Sequence, residues 1–131
     1  MVDYEQIVRS LGVKHVRKVN PYDVLRTMET IREESNRDDA SVIITENAPC
    51  LLHRREKNGF KYPYYAVEEE FCRGCKGCRE IGCPAISWQE EEGITRDGKK
   101  RKGRVVINRL QCPGCGLCAQ VCKFDAISGG E

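Results

Sequence analysis

Eight of the nine cysteines in this 131-residue chain stand in two short runs. The first run is Cys72, Cys75, Cys78 and Cys83, spaced C-x2-C-x2-C-x4-C and followed by Pro84. The second is Cys112, Cys115, Cys118 and Cys122, spaced C-x2-C-x2-C-x3-C and followed by Lys123. A structural zinc site draws its ligands from two separated pairs, so a third thiol at the next two-residue interval would be idle. A cubane iron–sulfur cluster uses that thiol: three thiolates in one tight loop bind three irons, and the fourth iron takes a cysteine from farther away. Gly74, Gly77, Gly114 and Gly116 let the backbone curl around such a group. Pro84 fixes φ just after Cys83, as in the bacterial two-cluster run, in which the fourth cysteine of each run serves the other cluster. Applied here, Cys72, Cys75, Cys78 and Cys122 hold one [4Fe–4S] cluster, and Cys112, Cys115, Cys118 and Cys83 hold the other. Zinc and disulfides are the alternatives. The extra residue before Cys83 and the lysine after Cys122 depart from the usual run, and neither removes a ligand.

Other residues with chemical potential stand apart from these runs. Cys50, in "ENAPC", reads as a buried packing cysteine after a strand, with a reactive thiol as the alternative. His15 and His53 have no cysteine or carboxylate at ligand spacing and read as surface or packing residues. The stretch "RDGKKRKGR" carries six basic residues and one acid. It reads as a solvated hairpin tip or as a docking patch for an acidic redox partner. Trp88 and Phe124 read as packing residues of a small domain. Nothing offers an acid–base pair, a Ser/His/Asp set or a phosphate-binding glycine loop.

The elements that must position the thiols follow from pattern. Tyr4, Ile7, Val8 and Leu11 lie on one face of a helix that Gly12 can end. "KHVRKV" reads as a strand. Asn20 is expected to cap a second helix with Pro21 at its first position, and Val24, Leu25, Met28 and Ile31 form its apolar stripe. "SVIIT" reads as a parallel strand buried on both faces. Residues 1–60 are thus expected to form a βαβ segment with a helix in front. Two strands are too few for a stable α/β sheet, so this segment is expected to complete a larger one. Residues 61–131 contain a repeat at an offset of forty: "AVEEEFCRGCKGC" aligns with "RVVINRLQCPGCGLC", and "CPAIS" answers "CKFDAIS". Each copy reads strand, turn, cysteine loop, short helix, strand, and an extended hairpin joins them. The fold class expected is α+β: a two-cluster ferredoxin-like domain behind an incomplete α/β segment.

Composition sets the outer bounds. The longest aliphatic stretch, Val42-Ile43-Ile44, is far short of the ~20 apolar residues of a membrane helix. The start, "MVDYEQIVRS", lacks the basic and apolar regions of a secretory leader. Dense cysteine without a leader points to metal in a reducing cytoplasm. The formal charge of +2 gives no reason to expect nucleic acid. Eight thiolates and two oxidised cubes would carry it to about −2.

The pieces "YEQIVRSLGVKHVRKVNPYD", "SVIITENAPC" and "FCRGCKGCREIGCPAISW…QCPGCGLCAQVCKFDAI" together resemble the C-terminal end of the indolepyruvate ferredoxin oxidoreductase alpha subunit. In that family a thiamine-diphosphate-binding domain runs into a two-cluster ferredoxin domain. The resemblance implies a 2-oxoacid oxidoreductase: thiamine diphosphate adds to an arylpyruvate, CO2 leaves, coenzyme A takes the acyl group, and electrons pass through the clusters to an external ferredoxin. It also implies partners, namely the thiamine-binding remainder with its Mg and a second subunit. The family's Gly-Asp-Gly signature is absent, since the only Asp-Gly is Asp97-Gly98 in the basic hairpin. Thiamine diphosphate is therefore expected elsewhere in the complex, and this chain to be a piece of a longer polypeptide or a subunit that docks on one. A free ferredoxin-type carrier and a non-redox module with structural clusters are the competing readings.

Overall fold

The computed structural model of the chain describes residues 2–46 and 64–130. Two compact units divide the chain, Met1–Pro49 and Cys50–Glu131. The boundary expected at 60/61, together with Cys50 and His53, lies outside the described residues.

In the first unit, helix α1 (Tyr4–Ser10) starts at Asp3, whose carboxylate accepts the Gln6 N–H at 3.1 Å. Strands β1 (His15–Val19) and β2 (Ser41–Thr45) pair in parallel, His15 opposite Ser41, with helix α2 (Val24–Ser35) between them in sequence. The cap of α2 is Asp23 rather than Asn20: the Asp23 side chain accepts the Arg26 N–H at 3.1 Å. Asn20 and Pro21 form the turn before it, with the Asn20 side chain accepting the Tyr22 N–H at 3.0 Å. Both Asn and Asp suit a cap, and proline also suits the second position of a turn, so the local pattern allowed either start.

The apolar stripe of α2 does not face the strands. Leu25, Met28 and Ile31 are exposed, and the buried residues of the helix are Thr30 and Glu34. One Glu34 oxygen accepts from Ser41 Oγ and from Arg37 Nε at 2.8 Å, and the other lies 3.7 Å from Arg17 Nε. The Ser41 hydrogen bond, then Arg37 and Arg17, hold this carboxyl below the usual carboxylate range, against the opposing effect of burial. Tyr4, Ile7 and Leu11 of the first helical stretch are also exposed. Strand β2 is half-buried instead of covered on both faces. The reason is physical: among the described residues of this unit the two strands have α1 and α2 against them, and nothing covers the outward side chains of those helices.

In the second unit, β3 (Tyr64–Val67) pairs antiparallel with β8 (Ile127–Gly130), and β4 (Ile86–Gln89) with β7 (Arg104–Ile107). The short strands β5 (Gly93–Ile94) and β6 (Lys100–Arg101) extend the hairpin between β4 and β7. The first strand of each repeat copy therefore pairs with the last strand of the other. A 3-10 turn (Gly77–Ile81) and helix α3 (Leu117–Gln120) follow the two cysteine loops. Val105 and Ile127 form the core with Cys78 and Cys118, flanked by Tyr65, Ile86, Trp88 and Ile107. There is little apolar mass here, and thiols occupy its centre.

Candidate metal centre

The repeat sets both cysteine loops in the same way. At the end of β3 the Cys72 N–H donates to the Glu68 carbonyl at 3.1 Å, and at the end of β7 the Cys112 N–H donates to the Asn108 carbonyl at 2.9 Å. Each loop then turns through left-handed backbone, at Gly74 and Lys76 in the first copy and at Gly114 and Gly116 in the second. Gly77 does not take such a conformation; Lys76, at φ 63°, holds the position that Gly116 holds in the other copy. The extra residue before Cys83 is absorbed by a 3-10 turn closed by Gly82 at φ 71°, where the second copy has a turn of α-helix.

Crossed strand pairing then decides which thiols meet. One hollow is lined by Cys72, Cys75, Cys78 and Cys122, beside Val67 and Val105. A second is lined by Cys83, Cys112, Cys115 and Cys118, beside Ile86 and Ile107. Each hollow thus gathers three thiols of one run and the last thiol of the other. Among the described residues no three His, Cys, Asp or Glu side chains converge on the place of a single ion; the thiols ring a space instead.

The electrostatics follow the same grouping. Burial pushes the Cys78 thiol up, and the charges of Cys122, Cys75 and Cys72 push it further. Burial pushes Cys118 up to about 11, with Cys115, Cys112 and Cys83 acting in the same direction. Four thiols crowded in low dielectric favour protonation, and a bound cation reverses that preference. Two backbone amides already point at sulfur: Ala126 N–H to Cys122 Sγ at 3.4 Å and Tyr65 N–H to Cys112 Sγ at 3.5 Å. Donor set, hollow and amides together fit an iron–sulfur group at each place.

Comparison with known proteins agrees. Residues 71–126 match the family model described as a 4Fe-4S dicluster domain. This part of the chain is a 4Fe-4S dicluster domain. The chain that carries it is also similar, along almost its whole length, to indolepyruvate oxidoreductase subunit IorA. Identity to the Pyrococcus horikoshii protein is 41% over 94% of this chain and 18% of the relative. Identity to the Thermococcus kodakarensis protein is 37% over 96% of this chain and 18% of the relative. A dihydromethanopterin reductase (acceptor) of Methanosarcina mazei is 34% identical over 50% of this chain and 24% of its own length. The resemblance carried by the sequence is therefore real: the chain is homologous to the C-terminal part of the IorA subunits and spans about a fifth of their length.

The remaining candidates fall outside both hollows. His15 Nε2 lies 3.8 Å from Asp39 on the first unit's surface. Trp88 packs on Gly103 and Gly74 of the dicluster domain, and Arg73 stacks 4.6 Å over the Phe124 ring. The basic hairpin is not one patch. Arg101 is buried, Arg96 stacks 5.3 Å over Phe71, and Arg104 pairs with Glu91 at 2.7 Å, which leaves Lys99, Lys100 and Lys102 exposed. Sequence reasoning counted Arg101 among the surface charges. The alternation of strand β6, which turns Lys100 out and Arg101 in, was the signal that could have found it.

Proposed function

We propose that this chain is the electron-transfer portion of a 2-oxoacid:ferredoxin oxidoreductase of the indolepyruvate type. Cys72, Cys75, Cys78 and Cys122 would hold one [4Fe–4S] cluster, and Cys83, Cys112, Cys115 and Cys118 the other. Bound there, each cluster takes up and releases one electron at a time. The chain's own contribution is to supply the thiolates, aim the Ala126 and Tyr65 amides at sulfur and wall both hollows with apolar side chains. The observation that carries the reading is the crossed gathering of four thiols at each hollow, in a chain homologous to IorA. The thiamine diphosphate, its Mg and the second subunit belong to the rest of the complex, with an external ferredoxin as acceptor in the cytoplasm. The exposed Leu25, Met28 and Ile31 support docking on that remainder over a free carrier, which has no use for an uncovered apolar helix face.

The test is composition followed by one substitution. Anaerobically reconstituted chain should hold about eight irons and eight sulfides, as two cubanes require. Cys83→Ala should then damage the site of Cys112, Cys115 and Cys118 while the other survives. Four irons in the parent chain, or loss at the site of the first run, would sink the assignment.

A further inference from the structure

The repeat builds two similar thiol sites and then surrounds them differently. At the first, Arg101 is only 8% exposed, and its Nη1 donates to the Glu69 carbonyl at 2.6 Å and to the carbonyl of the ligand-bearing residue Cys72 at 3.1 Å. Its Nε is buried with no hydrogen-bond partner. Glycine at position 93 makes room for it: a Cβ there would stand 2.8 Å from that Nε. Lys76 stands on the lining of the hollow itself, 4.4 Å over the Trp88 ring, on the left-handed backbone that the other copy gives to glycine. Cys75 of this set is also exposed, whereas every thiol of the other set is at least partly buried. The second hollow has no charged residue on its lining.

Neighbouring carboxylates do not cancel this difference. Asp97 neutralises Arg73 at 2.6 Å, so Arg73 contributes little. Glu69 lies 4.0 Å from Arg101, but its side chain is 53% exposed and also serves Arg104, so water screens it. Lys76 has no ion pair among the described residues.

We propose that Arg101, seconded by Lys76, makes the site of Cys72, Cys75, Cys78 and Cys122 the higher-potential member of the pair. This rests on the two-cluster reading above. One-electron reduction adds one negative charge to a site, and a buried cation beside it stabilises that form, as does nearby solvent. The second site, in apolar surroundings, stabilises the added charge less. An electron shared between the two therefore rests mostly at the first, the site whose Cys75 reaches the surface.

The experiment is a redox titration of the reconstituted full chain, followed by electron paramagnetic resonance, with Arg101→Gln, Arg101→Lys and Lys76→Gly beside the parent. The parent should titrate in two one-electron steps. Arg101→Gln should lower only the upper step, changing the electron-sharing constant by about tenfold or more, or about 59 mV for a one-electron couple. Arg101→Lys should largely retain it, and Lys76→Gly should lower the same step by less. Lys76 lines the first hollow and Arg101 is hydrogen-bonded to the carbonyl of its Cys72, while neither lines the second, so the step they move identifies that site. Steps that coincide in the parent, or variants that keep eight irons and leave the upper step in place, would overturn the proposal while the two-cluster reading stands. If Arg101→Gln fails to hold iron, Lys76→Gly decides the matter. A parent holding fewer than eight irons would instead remove the reading itself, and the proposal with it.

Discussion

On the proposed ligand set, Cys118 has to give up a proton before iron can hold its sulfur, and its surroundings oppose that. Its pKa near 11 comes first from burial and then from the neighbouring thiolates. The sign of the resulting pH dependence is fixed. A ligand that prefers its proton competes with metal, and each added thiol proton strengthens the competition about tenfold per pH unit of acidification. The visible absorbance of the loaded chain should therefore bleach as pH falls, with iron released. Colour that survives at pH 5 but is lost between pH 7 and 9 would contradict this. The same residue-scale logic explains why thiols sit in the core at all: once metal neutralises them they become packing groups beside Val105 and Ile127.

At the scale of an element, the two cysteine loops offer a matched pair of positions. Lys76 and Gly116 share a left-handed conformation, at φ 63° and 77°. A side chain there costs about 1–2 kcal/mol. At Gly116 a Cβ would also stand 2.7 Å from the Tyr65 hydroxyl oxygen. Gly116→Ala should thus lower the thermal midpoint of the loaded chain by several degrees, at about 4–8 °C per kcal/mol for a small domain. Lys76→Gly should leave it nearly unchanged. There the relief of backbone strain is offset by the lost contact with Trp88, about 0.5–1 kcal/mol, and by glycine's greater freedom when unfolded. Differential scanning calorimetry of the two variants checks both. A large loss for Lys76→Gly with none for Gly116→Ala would mean that the loops are not set by these dihedrals.

For the molecule as a whole, the two units differ in what holds them. The second closes on two thiol-lined hollows and crossed strand pairs. The first has one parallel pair, a carboxylate-centred contact at Glu34 and apolar side chains turned outward. Its amides in α1, β1, α2 and β2 should exchange faster than those of β3, β4, β7 and β8 in the loaded chain. On the proposed function, adding a thiamine-binding remainder should protect them as the pair joins a larger sheet. Hydrogen exchange with and without that partner measures this directly. A first unit fully protected in isolation would favour a free carrier.

Spacing alone determined the eight thiols, the repeat at an offset of forty and the places of most helices and strands, because ligand loops, periodicity and turns are local properties of the chain. It also named the homology, since motif order survives in sequence. Three things were decided only in three dimensions. Strand β3 finds β8 rather than β4, the long-range pairing by which Cys122, already assigned to the first run from the spacing, reaches that run's hollow. Helix α2 turns Thr30 and Glu34 inward because a polar contact with Ser41 and Arg37 is available, while its apolar stripe has nothing in reach to cover it. The alternation of β6 could turn Arg101 inward, but what it meets there, the Cys72 and Glu69 carbonyls about thirty residues away, is set by the tertiary structure alone.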